Sequence, residues 1–215
     1  MGRLKESPCI PARVAGRGCQ YLTDAGTIYE GIELYSHPDY IDVNETTGYD
    51  LAIVVLSEPI TDLSTPALLY GGDAEYGQLV TFMGYGMRGI GSVGERDDFH
   101  DDDTTKAAAQ GAIDQLVESV EEGDYFGIFF PQEDGSLANP YGGSDQPVNH
   151  LVGLLGSGDS GGPAFIKTDA GWVLAGVNSN GNGNAAYGQS AWFARVSAFQ
   201  DWIRSVFPDV EFSDR

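Results

Sequence analysis

Gly158-Asp159-Ser160-Gly161-Gly162-Pro163 sets one hydroxyl among three glycines, the residue type that lets another backbone approach closely and accepts left-handed conformations without strain. The plain reading is a glycine-rich turn between two strands, since turns use glycine for its positive φ. The sharper reading makes Ser160 a nucleophile held out on a tight loop. Working outward from that loop, short β-branched and aromatic runs bounded by Gly, Asn and Asp predict strands over Thr27–Tyr35, Leu51–Leu56, Leu79–Met83, Tyr125–Phe130 and Gly171–Val177. Helical signal is confined to a turn within Thr105–Val120 and to the last segment, Ser197–Val206. The chain is therefore expected to be all-β. Its 215 residues, 41% hydrophobic with 30 Gly and 10 Pro, suit one or two globular domains.

Upstream, Tyr49-Asp50-Leu51-Ala52-Ile53-Val54-Val55-Leu56 is an apolar strand opened by one acid, for which a strand-start cap is the local explanation. With the glycine loop, this strand resembles the D-I-A-L-L-x-L segment and GDSGGP signature of the chymotrypsin/trypsin-like serine protease family. Further segments resemble that family in its own order. Val80-Thr81-Phe82-Met83-Gly84-Tyr85-Gly86 is similar to the strand opening its second barrel, and Val173-Leu174-Ala175-Gly176-Val177-Asn178-Ser179-Asn180-Gly181 to its L-x-G-V-x-S-x-G strand. Phe193-Ala194-Arg195-Val196, with Trp202-Ile203 behind it, is similar to the closing strand and terminal helix.

The resemblance implies a chymotrypsin-like fold of two antiparallel β-barrels and a short C-terminal helix. Residues 1–70 would form the N-terminal barrel carrying the acid, residues 71–215 the C-terminal barrel carrying the nucleophile, and Pro59–Tyr70 the crossing linker. It also implies roles. Ser160 would attack the substrate carbonyl, and the N–H groups of Gly158 and Ser160 would form the oxyanion hole that stabilises charge developing in the transition state. Asp50 would hold the tautomer of a catalytic histidine. Asp159, beside the nucleophile, pairs in many relatives with an N-terminal ammonium released by zymogen cleavage; no I-V-G-G-type start is present, so the partner of Asp159 is left open.

The base is the missing part. The family's T-A-A-H-C motif has no counterpart between Met1 and Tyr49, and the chain has only three histidines. His37, in His37-Pro38-Asp39-Tyr40, resembles a structural turn of the family. His100 lies in an acidic run, and His150 precedes Ser160 by ten positions on a segment read as surface. Where family spacing places the base, Ser7-Pro8-Cys9-Ile10 offers only a proline before a cysteine. Either the motif has been replaced, or Met1 is an internal start and the histidine lies upstream. Since a serine hydroxyl needs an adjacent base, this chain alone is expected to turn over little peptide. The alternative is a catalytically inactive homologue that binds peptides or partners through the same cleft.

Specificity follows from position. Six residues before Ser160, where trypsin-like members carry an aspartate, stands Leu154, followed by Leu155, Gly156 and Ser157. Ser179, Asn180 and Gly181 would bond the substrate backbone as an added strand, and Ala191 would fall near the far wall. A neutral, partly apolar pocket is expected. The polypeptide substrate, and a protein inhibitor occupying the same cleft, are the partners implied; no cofactor is.

With 32 acids against 11 bases the formal net charge is −21 and the pI about 4.1, which repels nucleic acid and anionic membrane. The acidic run Glu95–Asp103 offers oxygen ligands to Ca²⁺, but it lacks EF-hand spacing, so a solvated loop is the expected reading. No apolar run is long enough to span a membrane, and Met1 opens no signal peptide; a secreted or periplasmic setting is implied by family alone. Cys9 and Cys19 could close a hairpin-like segment. Residues 1–70 supply three or four strands where the family uses six. Open strand edges and a small core predict a marginally stable protein.

Overall fold

The computed structural model describes residues 19–23, 26–41, 47–62, 66–99, 105–169 and 171–213. These fall into two compact units. The first holds the described residues up to Pro38 together with those of Ala52–Pro66; the second holds those of Asp39–Leu51 and of Ala67 onward. Asp50 therefore belongs with the unit that carries Ser160.

In the first unit β1 (Gln20–Leu22), β2 (Ile28–Ser36) and β3 (Ala52–Leu56) form an antiparallel sheet in that order. Tyr29, buried on β2, receives the Thr61 N–H on its hydroxyl at 3.2 Å and donates to Asp62 Oδ1 at 3.3 Å. His37 is buried at the end of β2. Cys19 is disulfide-bonded, and Cys9 lies outside the described residues.

The second unit is a closed barrel. Six strands, β5 (Leu79–Gly84), β8 (Ala107–Val117), β9 (Tyr125–Phe129), β10 (Pro163–Thr168), β11 (Gly171–Gly181) and β12 (Ser190–Arg195), run in the order β10-β5-β8-β9-β12-β11, and β10 pairs with β11 to close the ring. Full closure removes unpaired edges. The length of β11 makes closure possible: its first half pairs with β10, and its second half also with β12, across a register shift between Asn178 and Asn180. Outside the ring β4 (Leu68–Tyr70) adds in parallel to β11, and β13 (Phe212–Ser213) in parallel to β4. The segment read as a crossing linker thus ends in a strand. A small hairpin, β6 (Gly89–Ile90) with β7 (Gly94–Glu95), and one short helix, α1 (Gln200–Val206), complete the unit.

The core explains the pairing. Phe126 and Phe193 stack at 4.9 Å between centroids, Phe82 tilts onto Phe193 at 5.6 Å, and Val80, Ile113, Ile128, Ile166 and Val173 fill the remainder. Gly176 is required by this stack, since a Cβ there would lie 2.6 Å from Phe126 Cζ. A fully buried ion pair ties the end of β12 to the loop after β4: Arg195 donates from Nη2 to Glu75 at 2.9 Å and from Nε at 3.0 Å, and Ser197 Oγ donates to the same carboxylate.

The helical expectation within Thr105–Val120 is corrected: those residues form β8, the longest strand together with β11. Ala107-Ala108-Ala109-Gln110 has helix-forming composition, but β5 pairs with Ala107–Ala112, β9 pairs with the strand from Ile113 to Val117, and burial of Ile113 on the strand's inner face outweighs local propensity. The last segment is divided, with a 3₁₀ turn at Val196–Phe199 leading into α1.

Candidate active site

Ser160 sits in the turn between Leu154 and β10. Gly158 (φ +95°) and Gly161 (φ +79°) take the left-handed conformations that let the chain double back on either side of it. Its geometry is fixed from behind by Asn178, which is 1% exposed: its Nδ2 donates to Asp159 O at 3.0 Å and to Met83 O at 3.3 Å, its carbonyl accepts from Gly161 N–H at 2.8 Å, and its N–H donates to Gly162 O at 2.9 Å. Asp159 is the second anchor. Its carboxylate accepts the Gly86 N–H on Oδ1 at 2.8 Å and the Gly156 N–H on Oδ2 at 2.9 Å. Backbone amides from its own turn and from the segment after β5 thus satisfy the acid whose partner the sequence left open.

The result is an exposed Ser160 hydroxyl whose Oγ donates to Ser179 O at 3.5 Å. Among the described residues, the N–H groups of Gly158 and Ser160 donate to no protein acceptor, so both are available to an incoming oxygen.

Asp50 reaches the same place from the other direction. It follows a 3₁₀ turn, Thr47–Tyr49, that is pinned to the barrel: Gly48 N–H donates to Glu122 O at 2.8 Å, Tyr49 Oη donates to Val120 O at 3.1 Å, and the Tyr49 ring meets Phe199 edge-on at 5.8 Å. Gly48 is needed because a side chain there would overlap the backbone of Gly123. Asp50 Oδ2 then accepts from Ser179 Oγ at 2.8 Å. Ser179 therefore touches both residues, its hydroxyl bonded to Asp50 and its carbonyl to Ser160.

A cavity of about 190 Å³ opens beside Ser160, walled by Leu154–Ser157 on one side and Ser179–Gly183 with Ala185 on the other. Leu154, Ser179, Asn180 and Gly181 all line it. Ala191 does not; it is fully buried in the barrel core, paired with Gly181 across the sheet. The Gly181 N–H already donates to Asn180 Oδ1 at 2.7 Å, a bond that an added substrate strand would have to displace. The wall also contains a charge that the expectation of a neutral pocket lacked. Glu95, on β7, accepts the Ser157 N–H at 2.6 Å and the Ser157 hydroxyl at 3.0 Å. Sixty-two positions separate these partners in sequence, so no local pattern joins them.

These contacts also dispose of part of the acidic run: Glu95 faces Ser157, Asp98 is bonded to Arg96, and His100 to Asp103 lie outside the described residues. Among the described residues no group of three or more acidic, His or Cys side chains could hold a metal ion. His150 is exposed and forms no hydrogen bond with Ser160.

The trypsin family model matches residues 154–203, the stretch that spans the serine turn, β10, β11, β12 and most of α1. That stretch carries the chain's similarity to the trypsin-like serine proteases. A protein described as trypsin from Saccharopolyspora erythraea is 26% identical over 181 residues, covering 83% of this chain and 68% of that protein. A trypsin-like similarity is consistent with the closed all-β barrel and, among the described residues, the single short α-helix. No helix among the described residues is long and apolar enough to cross a membrane.

Proposed function

We propose that the chain is a serine endopeptidase working through an acyl-enzyme, with Ser160 as nucleophile, Asp50 as the acid of the triad, and the N–H groups of Gly158 and Ser160 as oxyanion donors. The observation that carries this reading is the double engagement of Ser179, which draws Asp50 and Ser160 to one residue beside a cavity of substrate side-chain size. In the first step Ser160 Oγ bonds to the scissile carbonyl carbon, and the carbonyl π pair moves onto its oxygen, where the two free N–H groups receive it. Collapse of that intermediate breaks the C–N bond, the amine leaves with a proton, and water then releases the acyl group. On this reading residues 1–70 are the partial N-terminal barrel that contributes the acid Asp50 and residues 71–215 the C-terminal barrel that carries the nucleophile, in a secreted or periplasmic setting.

The Oγ proton requires an acceptor, and the Ser179 carbonyl that now faces it is a hydrogen-bond acceptor without basicity. Removing the base from a serine triad costs about 10⁶ in turnover and leaves roughly 10³–10⁴ over water, so the chain by itself works at that residual level. A second reading, a catalytically inactive homologue binding peptides in the same cleft, is favoured by that bond from Ser160 to a carbonyl rather than an imidazole.

A fluorophosphonate probe separates the two, because it needs a nucleophilic hydroxyl in an oxyanion site. Labelling mapped to Ser160 by peptide mass spectrometry and abolished in Ser160→Ala supports the peptidase. Absence of label on folded protein refutes it in favour of the binding protein.

A further inference from the structure

A second cavity, of about 420 Å³, adjoins the one beside Ser160, and Glu95, Leu154, Gly156 and Ala185 line both. That volume falls in the range of small-molecule sites, about 300–1,000 Å³. Its room comes from β8, which meets it with Ala107, Ala108 and Ala109, side chains too short to fill it. Phe82, Met83, Met87, Phe130, Leu154 and Tyr187 give it an apolar and aromatic lining, and the Phe130 and Tyr187 rings lie 4.8 Å apart. Rings and polarisable thioethers together suit a flat aromatic guest. The walls are tied to one another: Met87 N–H donates to Ser157 O at 2.8 Å, Tyr187 N–H donates to Gly91 O at 2.7 Å, and a side chain at Gly91 would overlap the Tyr187 ring. Two charges line the cavity, and they differ in what they already hold. Glu95 accepts the Ser157 N–H at 2.6 Å and the Ser157 hydroxyl at 3.0 Å, and Ser157 lines only the cavity beside Ser160. Arg88 is half-buried; its Nη2 donates to the Thr105 carbonyl, and among the described residues no carboxylate forms an ion pair with it. The Tyr187 hydroxyl likewise bonds to none of the described residues. A guanidinium partly out of water, with donors to spare and no counter-ion, is stabilised by an incoming carboxylate.

We infer that this second cavity is a ligand site for a small aromatic monocarboxylate, its rings among Phe82, Met87 and Phe130 and its carboxylate at Arg88, with the Tyr187 hydroxyl as a further donor. The protein as a whole carries a formal charge of −21, which disfavours any anion. A preference for the carboxylate over the matching amide therefore needs a local cation, and Arg88 is the only one among the lining residues. The site uses no contact with Ser160, so it stands or falls apart from the endopeptidase reading.

The test is titration calorimetry of the full chain with 4-benzoylbenzoate against its neutral counterpart, 4-benzoylbenzamide. A hydrogen bond to a charged group is worth about tenfold or more in affinity, so the carboxylate is expected to bind at least about tenfold tighter than the amide. In Arg88→Gln, which keeps a donor but no charge, the ratio is expected to fall to within about twofold. Arg96→Gln is the control: its N–H donates to Arg88 O at 2.8 Å, but its guanidinium is bonded to Asp98, and the wild-type ratio is expected to survive. Irradiating the wild-type complex joins the benzophenone carbonyl carbon to a nearby C–H carbon, and peptide mass spectrometry locates the adduct. Adducts are expected at Met83, Met87 or Tyr187, none of which lines the cavity beside Ser160. Undetectable binding of the carboxylate, or equal binding of the two probes to the wild type, overturns the inference without recourse to any variant. So does a ratio unchanged in folded Arg88→Gln, or one lost equally in Arg96→Gln. Should Arg88→Gln fail to fold, the wild-type ratio and the adduct decide together, and adducts confined to residues outside the second cavity refute the site.

Discussion

Alanine at Gly86 should disable the site without touching any residue that meets substrate. The added Cβ would lie 2.7 Å from both the backbone nitrogen and Oδ1 of Asp159, and 2.8 Å from its Cγ, where ordinary contact begins at 3.4 Å. Asp159 must therefore retreat by about 0.7 Å, which stretches the 2.8 Å bond from Gly86 N–H beyond hydrogen-bonding range. A hydrogen bond to a charged group contributes about 1.5–3 kcal/mol. For a chain of this length, each kcal/mol lowers Tm by about 2–4 °C, so a drop of roughly 3–12 °C is expected. The functional effect is larger, because Asp159 stands between the two oxyanion donors, and misplacing one such donor costs about 10²–10³ in rate. The assay pairs thermal unfolding with the rate of fluorophosphonate labelling at Ser160. Should Gly86→Ala lower stability so far that labelling is unreadable, Asp159→Asn gives the same information, since its amide nitrogen cannot accept one of the two N–H groups. A folded Gly86→Ala or Asp159→Asn protein that labels within twofold of the wild-type rate would refute the claim that Asp159 shapes the loop through backbone amides.

Glu75→Ala leaves the buried Arg195 guanidinium with only the exposed Glu118 carboxylate at 3.4 Å, a loss of up to about 3–5 kcal/mol that should appear as a large Tm decrease. Asp114 gives a pH signature: burial raises its carboxyl above the ordinary 3.8, against the lowering effect of bonds from Asn139 and the Phe129 N–H. The folded state then holds a proton that the unfolded state has released, so ionised Asp114 costs stability as pH rises from about 3.8 through the raised value. Urea unfolding of wild type and Asp114→Asn should show the variant gaining relative stability across that window; identical slopes against pH would contradict it. Ser179→Ala removes the hydroxyl donor to Asp50, so it should slow labelling of Ser160 by more than it lowers Tm; an unchanged rate would show that Asp50 does not act on the site through Ser179.

Much of the barrel was readable because its strands announce themselves locally. Leu79–Met83 and Tyr125–Phe130 alternate or cluster apolar residues as buried strands do, and the observed β5 and β9 differ from them by one residue at one end. The turn at Ser160 was equally legible, since positive φ at Gly158 and Gly161 is what glycine supplies. What failed was anything decided by partners far away in the chain. Ala107–Gln110 reads as helix until β5 pairs with it and β9 with the residues that follow from Ile113, and Leu68–Tyr70 reads as linker until β11 offers it a parallel edge. In the site, Ser160 and Gly158 lie within one motif and were found together. The backbone amides of Gly86 and Gly156 carry no side-chain signal, so the partners of Asp159 could not be named. Glu95 is invisible for the same reason: a carboxylate in an acidic run looks solvated unless the fold brings it to Ser157.

Intact-protein and peptide mass spectrometry after exposure to a fluorophosphonate tests the central claim most directly. A single adduct on Ser160, forming slowly as befits a hydroxyl without its base, absent from Ser160→Ala and diminished in Gly86→Ala, is the result predicted. Folded wild-type protein that takes up no more label than Ser160→Ala would contradict the account.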